Sequence, residues 1–414
     1  MRIDVKKSVC GSTVLMLLAA LAAPACGEPR SSALANIANN EESTASGDVE
    51  KSQLVERVTY SDGADQHTVA GRILIEAQDG GLLLESADGA QHTIEGRSIL
   101  SRQTTDTKFK PLTSKELSQR LLEQLPPGFR VHATPHYVIC YNTSREYAEW
   151  TSSLFERLYK AFTSYWRRQG LELHDPEFPM VVIAFADKST YEAASRGDLG
   201  DAVRNIVGYY NLKTNRVYTY DLTGAQSTGG QATGNRRGSL REINQMLSQR
   251  AAVPLVATIV HEATHQIAFN CGLQTRLSDI PLWLCEGMAV YFEAPDLASS
   301  RGWRGIGRVN YPRLNTFRRN QPAWRRDTLT SMLADNQRFR DSRTAVGAYA
   351  DAWALNYYLI KYRPREYSAY LKTLAAKPPL VEDDPDTRLE EFKAHFGDLR
   401  TLESDFLQKM SRVE

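Results

Sequence analysis

The chain has 414 residues, of which 42% are hydrophobic and 24% are charged. These values are close to the averages of globular proteins, so the composition excludes a wholly disordered chain. Fifty Lys and Arg side chains against 49 Asp and Glu give a formal net charge of +1. Nucleic-acid-binding proteins usually carry a strong basic excess, and we therefore expect no nucleic-acid partner. The five cysteines show no Cys-x-x-Cys spacing, which excludes a zinc ribbon and a small disulfide scaffold.

Residues 1–25 have the pattern of a signal peptide. Basic residues precede a short apolar run, Val14–Ala23, which is too short to span a bilayer. Ala23-Pro24-Ala25 is typical of a cleavage site, and Cys26 follows it directly. Two outcomes fit: cleavage that releases a soluble protein, or lipidation of Cys26 and membrane attachment, as in the bacterial lipoproteins that this segment resembles. Both predict an exported protein of the periplasm, cell envelope or extracellular space.

Two further segments precede the main domain. Residues 26–54 are polar and low in aromatic residues, which predicts a disordered linker. Residues 55–105 alternate between apolar and polar side chains, and the pairs Asp79-Gly80 and Asp88-Gly89 are typical hairpin turns. We expect a small, barrel-like β-module of three to five strands with no catalytic residues.

The order of elements in residues 110–414 predicts an α+β domain. The predicted elements are a capped helix at 113–125, strands at 137–141 and 181–185, a long helix at 145–169, a β-hairpin at 207–221 and a Gly/Ser/Thr-rich loop at 223–238. After Glu242 the chain is predicted to be mostly helical.

The segment with the clearest chemical pattern is His261-Glu262-Ala263-Thr264-His265, within a helical stretch at 256–270. On a helix, residues i and i+4 lie on one face with Cβ atoms about 5–6 Å apart. Both imidazoles can therefore bind one metal ion from adjacent turns, and zinc accepts such nitrogen ligands. Glu262 is one step round the helix, where its carboxylate can reach a metal-bound water without ligating the metal. This geometry suits a general base.

A third ligand is predicted on the next helix, at 281–293. Glu286 is an acid within an otherwise apolar stretch, where an unpaired carboxylate would be costly to bury. A metal ion would remove that cost. The twenty residues that separate His265 from Glu286 are enough to end one helix, turn and return.

These two segments, HEATH followed by Trp-Leu-x-Glu-Gly-x-Ala-x-Tyr, resemble the gluzincin zinc metallopeptidases, the thermolysin-like group. They are similar above all to peptidase-MA-like bacterial families of uncharacterised function. The resemblance covers about residues 130–380, with specific motifs in 258–293. It implies a thermolysin-like domain with a mixed sheet and helices, zinc on His261, His265 and Glu286, and Glu262 as the base.

The resemblance also departs from the pattern of the family at one position. Thermolysin-like enzymes support a zinc-binding His with an acid four residues after the ligand Glu, and Val290 stands there in this chain. Glu293, seven residues after Glu286, could face the same way.

Two more features of the site follow from the resemblance. Related enzymes stabilise the oxyanion with a Tyr or His from a later helix, which suggests Tyr349 as the donor; the alternative is a core tyrosine. Gluzincins also bind substrate along an edge strand before the zinc helix, and the hairpin at 207–221 has that place in the order. Its residues 209–211 could line the cleft.

Weaker signals concern arginines and cysteines. The segment 301–326 is rich in Arg, and Arg308 or Arg313 could bind an acidic group of a substrate; the alternative is a solvated basic surface. Cys271 and Cys285 flank the turn between the two predicted metal-binding helices, and a disulfide could join them in an oxidising compartment.

The sequence as a whole predicts an exported zinc-dependent metallopeptidase that hydrolyses peptide bonds of a peptide or protein substrate. A zinc-bound water would attack, with Glu262 as general base. The alternatives are a non-catalytic envelope protein that retains a metallopeptidase-like fold for binding or structure, a zinc hydrolase that acts on another bond, and a binding module in which the β-module is the active part.

Overall fold

The computed structural model of the chain describes residues 54–63, 65–224, 239–299, 302–325 and 327–414. The predicted signal peptide, the lipidation site at Cys26 and all but the last residue of the predicted linker lie outside the described residues, as does most of the predicted loop at 223–238. None of the described helices is long and apolar enough to cross a membrane.

Among the described residues, the chain begins with strands, mixes strands and helices between residues 114 and 220, and continues with helices alone. The described strands are β1 (Leu54–Ser61), β2 (Gln66–Glu76), β3 (Leu82–Ser86), β4 (Gln91–Ile94), β5 (Ile99–Lys108), β6 (Arg130–Ala133), β7 (Tyr137–Tyr141), β8 (Met180–Phe185), β9 (Gly208–Asn211) and β10 (Arg216–Tyr220). The described helices are α1 (Ser114–Gln124), α2 (Arg145–Arg168), α3 (Lys188–Leu199), α4 (Leu240–Leu247), α5 (Val253–Asn270), α6 (Leu282–Phe292), α7 (Tyr311–Asn320), α8 (Thr328–Ala334), α9 (Gln337–Arg340), α10 (Ala345–Tyr362), α11 (Pro364–Ala375), α12 (Pro385–Phe396) and α13 (Leu399–Ser411).

The chain forms two compact units. Among the described residues, one extends to Leu112 and includes Leu212–Thr214, and the other contains Thr113–Asn211 and Asn215–Glu414. The class is mixed α+β, as expected.

The first unit is an antiparallel sheet with the strand order β4-β3-β2-β1-β5. Its hairpin turns include Gly80 and Gly89, both with positive φ, at the two predicted Asp-Gly positions. A small core joins Val58, Leu82 and Leu84 with apolar residues of the other strands.

The expected barrel-like shape of this unit is wrong. A barrel closes when its first and last strands pair, whereas β4 and β5 are the two edges of an open sheet. The composition of β5 gives the physical reason. Its sequence, ILSRQTTDTK, is polar and mostly exposed, so this strand has few side chains to bury in a barrel interior.

The second unit is built on a mixed sheet with the order β6-β7-β8-β10-β9. Strands β7, β8 and β10 are parallel, while β6 and β9 pair antiparallel at the two edges. Every residue of β7 and β8 is buried, as expected of parallel strands covered on both faces. The predicted hairpin at 207–221 is β9 and β10, which makes β9 an edge strand.

Helix α6 is the buried centre of the helical part of this unit. It follows Pro281, and every residue from Trp283 to Phe292 is buried. It packs against α5 on one side and against α10 on the other. Asn356 of α10 ties the two elements together, because its Nδ2 donates to the carbonyl of Trp283 at 2.8 Å.

A glycine in α6 allows the close approach to α10. A methyl group at Gly287 would lie 2.1 Å from Asn356 Nδ2 and 2.4 Å from the carbonyl oxygen of Ala352. Both distances are far below van der Waals contact, so any larger residue would push the two helices apart.

We therefore expect Gly287→Ala to lower the free energy of unfolding by about 1–3 kcal/mol, the usual cost of overpacking a core. The matched control is Gly197→Ala in α3, where an added methyl group meets no atom of the described residues within 4 Å. This control should leave stability unchanged or slightly higher, because Ala favours helix. Thermal and denaturant unfolding followed by circular dichroism would measure both. Equal stability of Gly287→Ala and the wild type would contradict the packing described.

Candidate metal centre

Helix α5 places two imidazoles side by side. His261 and His265 lie one turn apart, and their Nε2 atoms are 3.1 Å apart. The side chain of His265 is 1% exposed and that of His261 is 12% exposed. The predicted face of the helix is therefore formed, and it points into the interior of the second unit.

Helix α6 brings a carboxylate to the same point. Glu286 Oε2 lies 3.0 Å from His261 Nε2 and 3.7 Å from His265 Nε2. A tetrahedral metal with ligand distances of about 2.0–2.1 Å would hold its ligand atoms about 3.3 Å apart. The three atoms already have close to this spacing, so His261, His265 and Glu286 form a group that could hold a metal ion.

The second oxygen of Glu286 supports the same conclusion. Glu286 is 1% exposed, and its Oε1 has no hydrogen-bond partner among the described residues. A buried carboxylate oxygen without a donor is costly. A cation bound at Glu286 would compensate the buried charge.

The charges of the three residues are strongly coupled. Burial alone would raise the pKa of Glu286, but the two imidazoles outweigh it and hold this pKa below its ordinary value. Burial alone would lower the pKa of His261, but Glu286 and Glu293 outweigh it and raise this pKa. Burial keeps the pKa of His265 below its ordinary value. These directions favour the ionised form of Glu286 and the neutral form of His265, which are the forms that bind metal, whereas His261 would have to release its proton to a bound metal.

Glu293 contacts the second nitrogen of His261 and holds a further residue, Asn310. Its Oε2 lies 3.2 Å from His261 Nδ1, and its Oε1 accepts a hydrogen bond of 2.8 Å from Asn310 Nδ2. The expectation that Glu293 faces the site is confirmed, since a position seven residues on lies about two turns along the same face of a helix. A carboxylate on the second nitrogen orients a metal-binding imidazole and raises its basicity.

Cys285 contacts the Nδ1 atom of His265, as Glu293 contacts the Nδ1 atom of His261. Its Sγ lies 3.5 Å from His265 Nδ1 and 3.4 Å from Gln274 Oε1. The thiol donates to the amide oxygen of Gln274. A His265 tautomer with its proton on Nδ1 would complete this arrangement by donating to the sulfur, and it would leave the Nε2 lone pair available to a metal ion.

The disulfide that the sequence left possible between Cys271 and Cys285 is not formed. Cys271 and Cys285 are both free and buried. The sulfur of Cys285 lies between His265 and Gln274, while the thiol of Cys271 contacts the carbonyl of Ala268.

Glu262 lies beside the ligand group without belonging to it. The residue is 4% exposed, and its Oε2 accepts a hydrogen bond of 2.9 Å from the backbone N–H of Tyr210. Burial raises its pKa to about 8; Glu286 and Glu293 act in the same direction, against His261 and the Tyr210 N–H. Because Tyr210 belongs to β9, this bond connects the HEATH helix to the edge strand of the sheet.

Tyr349 is a buried residue of α10. Its ring packs edge-on against Phe339 at a centroid distance of 5.6 Å. Burial raises the pKa of Tyr349 well above its ordinary value, and the carboxylates of Glu286 and Glu262 raise it further. The phenol therefore stays protonated beside the predicted ligand and base.

Other predicted residues lie away from the ligands. Tyr209 and Asn211 of β9 both donate to Asp198 Oδ2. Arg308 is exposed, and no contact with the ligand residues is found for it in the described chain. The guanidinium of Arg313, in contrast, lies 5.6 Å from the centroid of the Tyr349 ring.

Sequence reasoning missed two residues of the surrounding layer, Asn310 and Gln274. Asn310 had a usable signal, because Asn directly before a helix is a common N-cap, and it does cap α7. Nothing local marks Gln274, whose contact with Cys285 is made by the fold.

Part of the chain matches a known family. Residues 255–381 match a family described as "Protein of unknown function (DUF1570)". The matched segment contains the three candidate ligands, Glu262 and Tyr349, but the family description assigns no activity. No curated protein matches the chain.

We expect Glu293→Gln to lower the affinity for Zn²⁺ about 10- to 100-fold, as is usual when the support of a metal-binding His is weakened. The substitution keeps the size of the side chain and removes its charge. Competition with a chromogenic chelator would measure the affinity, and Glu382→Gln, at an exposed position, is the control. An affinity equal to that of the wild type would show that Glu293 does not support His261.

Proposed function

We propose that this chain is an exported zinc-dependent metallopeptidase of the gluzincin type. The observation that supports this most strongly is the convergence of His261, His265 and Glu286 next to Glu262, a buried carboxylate outside the ligand group. The order of edge strand β9, helix α5 and helix α6 also agrees with a thermolysin-like domain. Export rests on the predicted signal peptide.

The donor set suits zinc. Two imidazole nitrogens and one carboxylate oxygen at tetrahedral spacing are a common set for a catalytic zinc site, which keeps one position open. When bound, zinc would act as a Lewis acid that polarises the scissile carbonyl and lowers the pKa of water. In the described residues the cluster that could bind a metal has three members, which fits an open site.

Glu262 is the proposed general base. It takes a proton from the attacking water as the new C–O bond forms at the scissile carbon. It then returns that proton to the nitrogen as the C–N bond breaks, which leaves a carboxylic acid and an amine. The acid then passes its proton to the amine, so that the products are a carboxylate and an ammonium group. The hydrogen bond from the Tyr210 N–H holds the Glu262 carboxylate in place for both transfers.

The strand that orients the base is also the proposed substrate platform. Strand β9 is an edge strand, and an extended peptide can add to such an edge through main-chain hydrogen bonds. Because Glu262 is hydrogen-bonded to the same strand, β9 would fix the position of the bound peptide relative to the base.

Tyr349 is the proposed donor to the oxyanion. Its pKa is held far above neutrality, so its hydroxyl carries a proton throughout the reaction. A donor directed at the negative charge that develops on the carbonyl oxygen stabilises the transition state more than the ground state.

We expect Glu262→Gln to bind zinc as the wild type does and to lose hydrolysis of a pool of random-sequence peptides. The amide keeps the size of the side chain but cannot take up a proton. New peptide ends would be counted by mass spectrometry, with Glu382→Gln as the control. Undiminished hydrolysis by Glu262→Gln would sink the proposed mechanism.

Tyr349→Phe should lower kcat about 100- to 1,000-fold, the usual cost of removing one oxyanion donor, with little change in KM or zinc content. Tyr357→Phe is the matched control, because Tyr357 is also a buried tyrosine of α10. A kcat within twofold of the wild type for Tyr349→Phe would make Tyr349 a core residue only.

A further inference from the structure

Arg313 presents a cation at the edge of the candidate site. Its guanidinium lies 5.6 Å from the centroid of the Tyr349 ring, and the residue is half-buried. Its backbone N–H donates to Asn310 Oδ1 at 3.2 Å. Within the described part of the chain, the guanidinium itself has neither a hydrogen-bond nor an ion-pair partner, although five N–H donors make such partners valuable.

Asn310 connects the start of α7, and with it Arg313, to the candidate metal centre. Asn310 accepts the Arg313 backbone N–H with its Oδ1 and donates with its Nδ2 to Glu293 Oε1. Glu293 in turn contacts His261. One asparagine therefore fixes the start of α7 relative to a predicted metal ligand, and the stem of Arg313 begins at a fixed place.

Three other arginines of the Arg-rich segment 301–326 have side chains with polar partners. Arg304 pairs with Asp296 at 3.2 Å. Arg318 donates to the carbonyls of Ser411 and Val413, and Arg319 donates to the hydroxyl of Thr316 at 3.2 Å. The fold supplies polar partners for those three side chains, whereas the contact that it supplies for the guanidinium of Arg313 is the ring of Tyr349.

We propose that Arg313 binds a carboxylate of the peptide substrate, and so gives the site a preference for acidic or carboxyl-terminal segments. The inference rests on the proposed function, because it takes the ligand of the site to be a peptide. A guanidinium binds a carboxylate with two parallel hydrogen bonds. The carboxylate has two sources, the C-terminus of the peptide or the side chain of Asp or Glu.

The test uses binding, so that it does not depend on hydrolysis. The full mature chain with Glu262→Gln, loaded with zinc, is titrated with fluorescent peptides and followed by anisotropy. The two members of one peptide pair differ only in having a C-terminal carboxylate or a C-terminal amide. In a further series of pairs, the two members differ only in having Glu or Gln at one internal position, and each pair tests a different position. The same titrations are made after adding Arg313→Gln, Arg313→Lys or, as control on the same helix, Arg319→Gln.

We expect the carboxylate form of at least one pair to bind about 10- to 100-fold more tightly, the usual effect of a hydrogen bond to a charged group. Arg313→Gln should abolish that preference, Arg313→Lys should retain part of it, and Arg319→Gln should leave it intact. The pair that shows the preference identifies the source of the carboxylate.

Three results would overturn the inference: equal binding of both members of every pair, a preference that survives Arg313→Gln, or absence of binding by all peptides at millimolar concentration. Hydrolysis of the same pairs by the wild type is measured in parallel. Selective binding without any hydrolysis would instead contradict the proposed function, so the two failures are distinguishable.

Discussion

The buried contact between one carboxylate and two imidazoles is the constraint on which the rest of the second unit depends. Glu286 comes from a helix that is buried along almost its whole length, and the two histidines come from adjacent turns of α5. Burying a carboxylate is costly unless opposite charge compensates it. The fold meets this requirement by packing α6 directly on α5. The other neighbour of α6, α10, approaches it so closely that residue 287 has to be a glycine.

The residues around the candidate ligands are connected to them by further contacts. Each histidine has a partner for its Nδ1, Glu293 for His261 and Cys285 for His265. Glu262 connects the same helix to the edge strand β9, and Asn310 connects Glu293 to α7. The groups proposed to bind, orient and transform a peptide are therefore joined to one centre through short chains of contacts.

The sequence predicted the elements that local pattern determines. Strand β7 was predicted at its observed bounds, and the helices that carry HEATH and Glu286 were predicted within three residues of theirs, because apolar periodicity and Pro281 act locally. The open shape of the first sheet was missed, since closure depends on pairing between distant strands. The partner of Cys285 was also missed, because only the packed helices bring Gln274 and His265 to its sulfur.

The assignment of the metal centre is tested most directly by elemental analysis of the purified mature chain, after incubation with zinc and removal of the excess. We expect about one zinc per chain in the wild type, and none in His265→Ala and Glu286→Ala variants whose circular dichroism shows them folded. A folded wild-type protein that retains no zinc, or variants that retain it fully, would contradict the assignment of the metal centre.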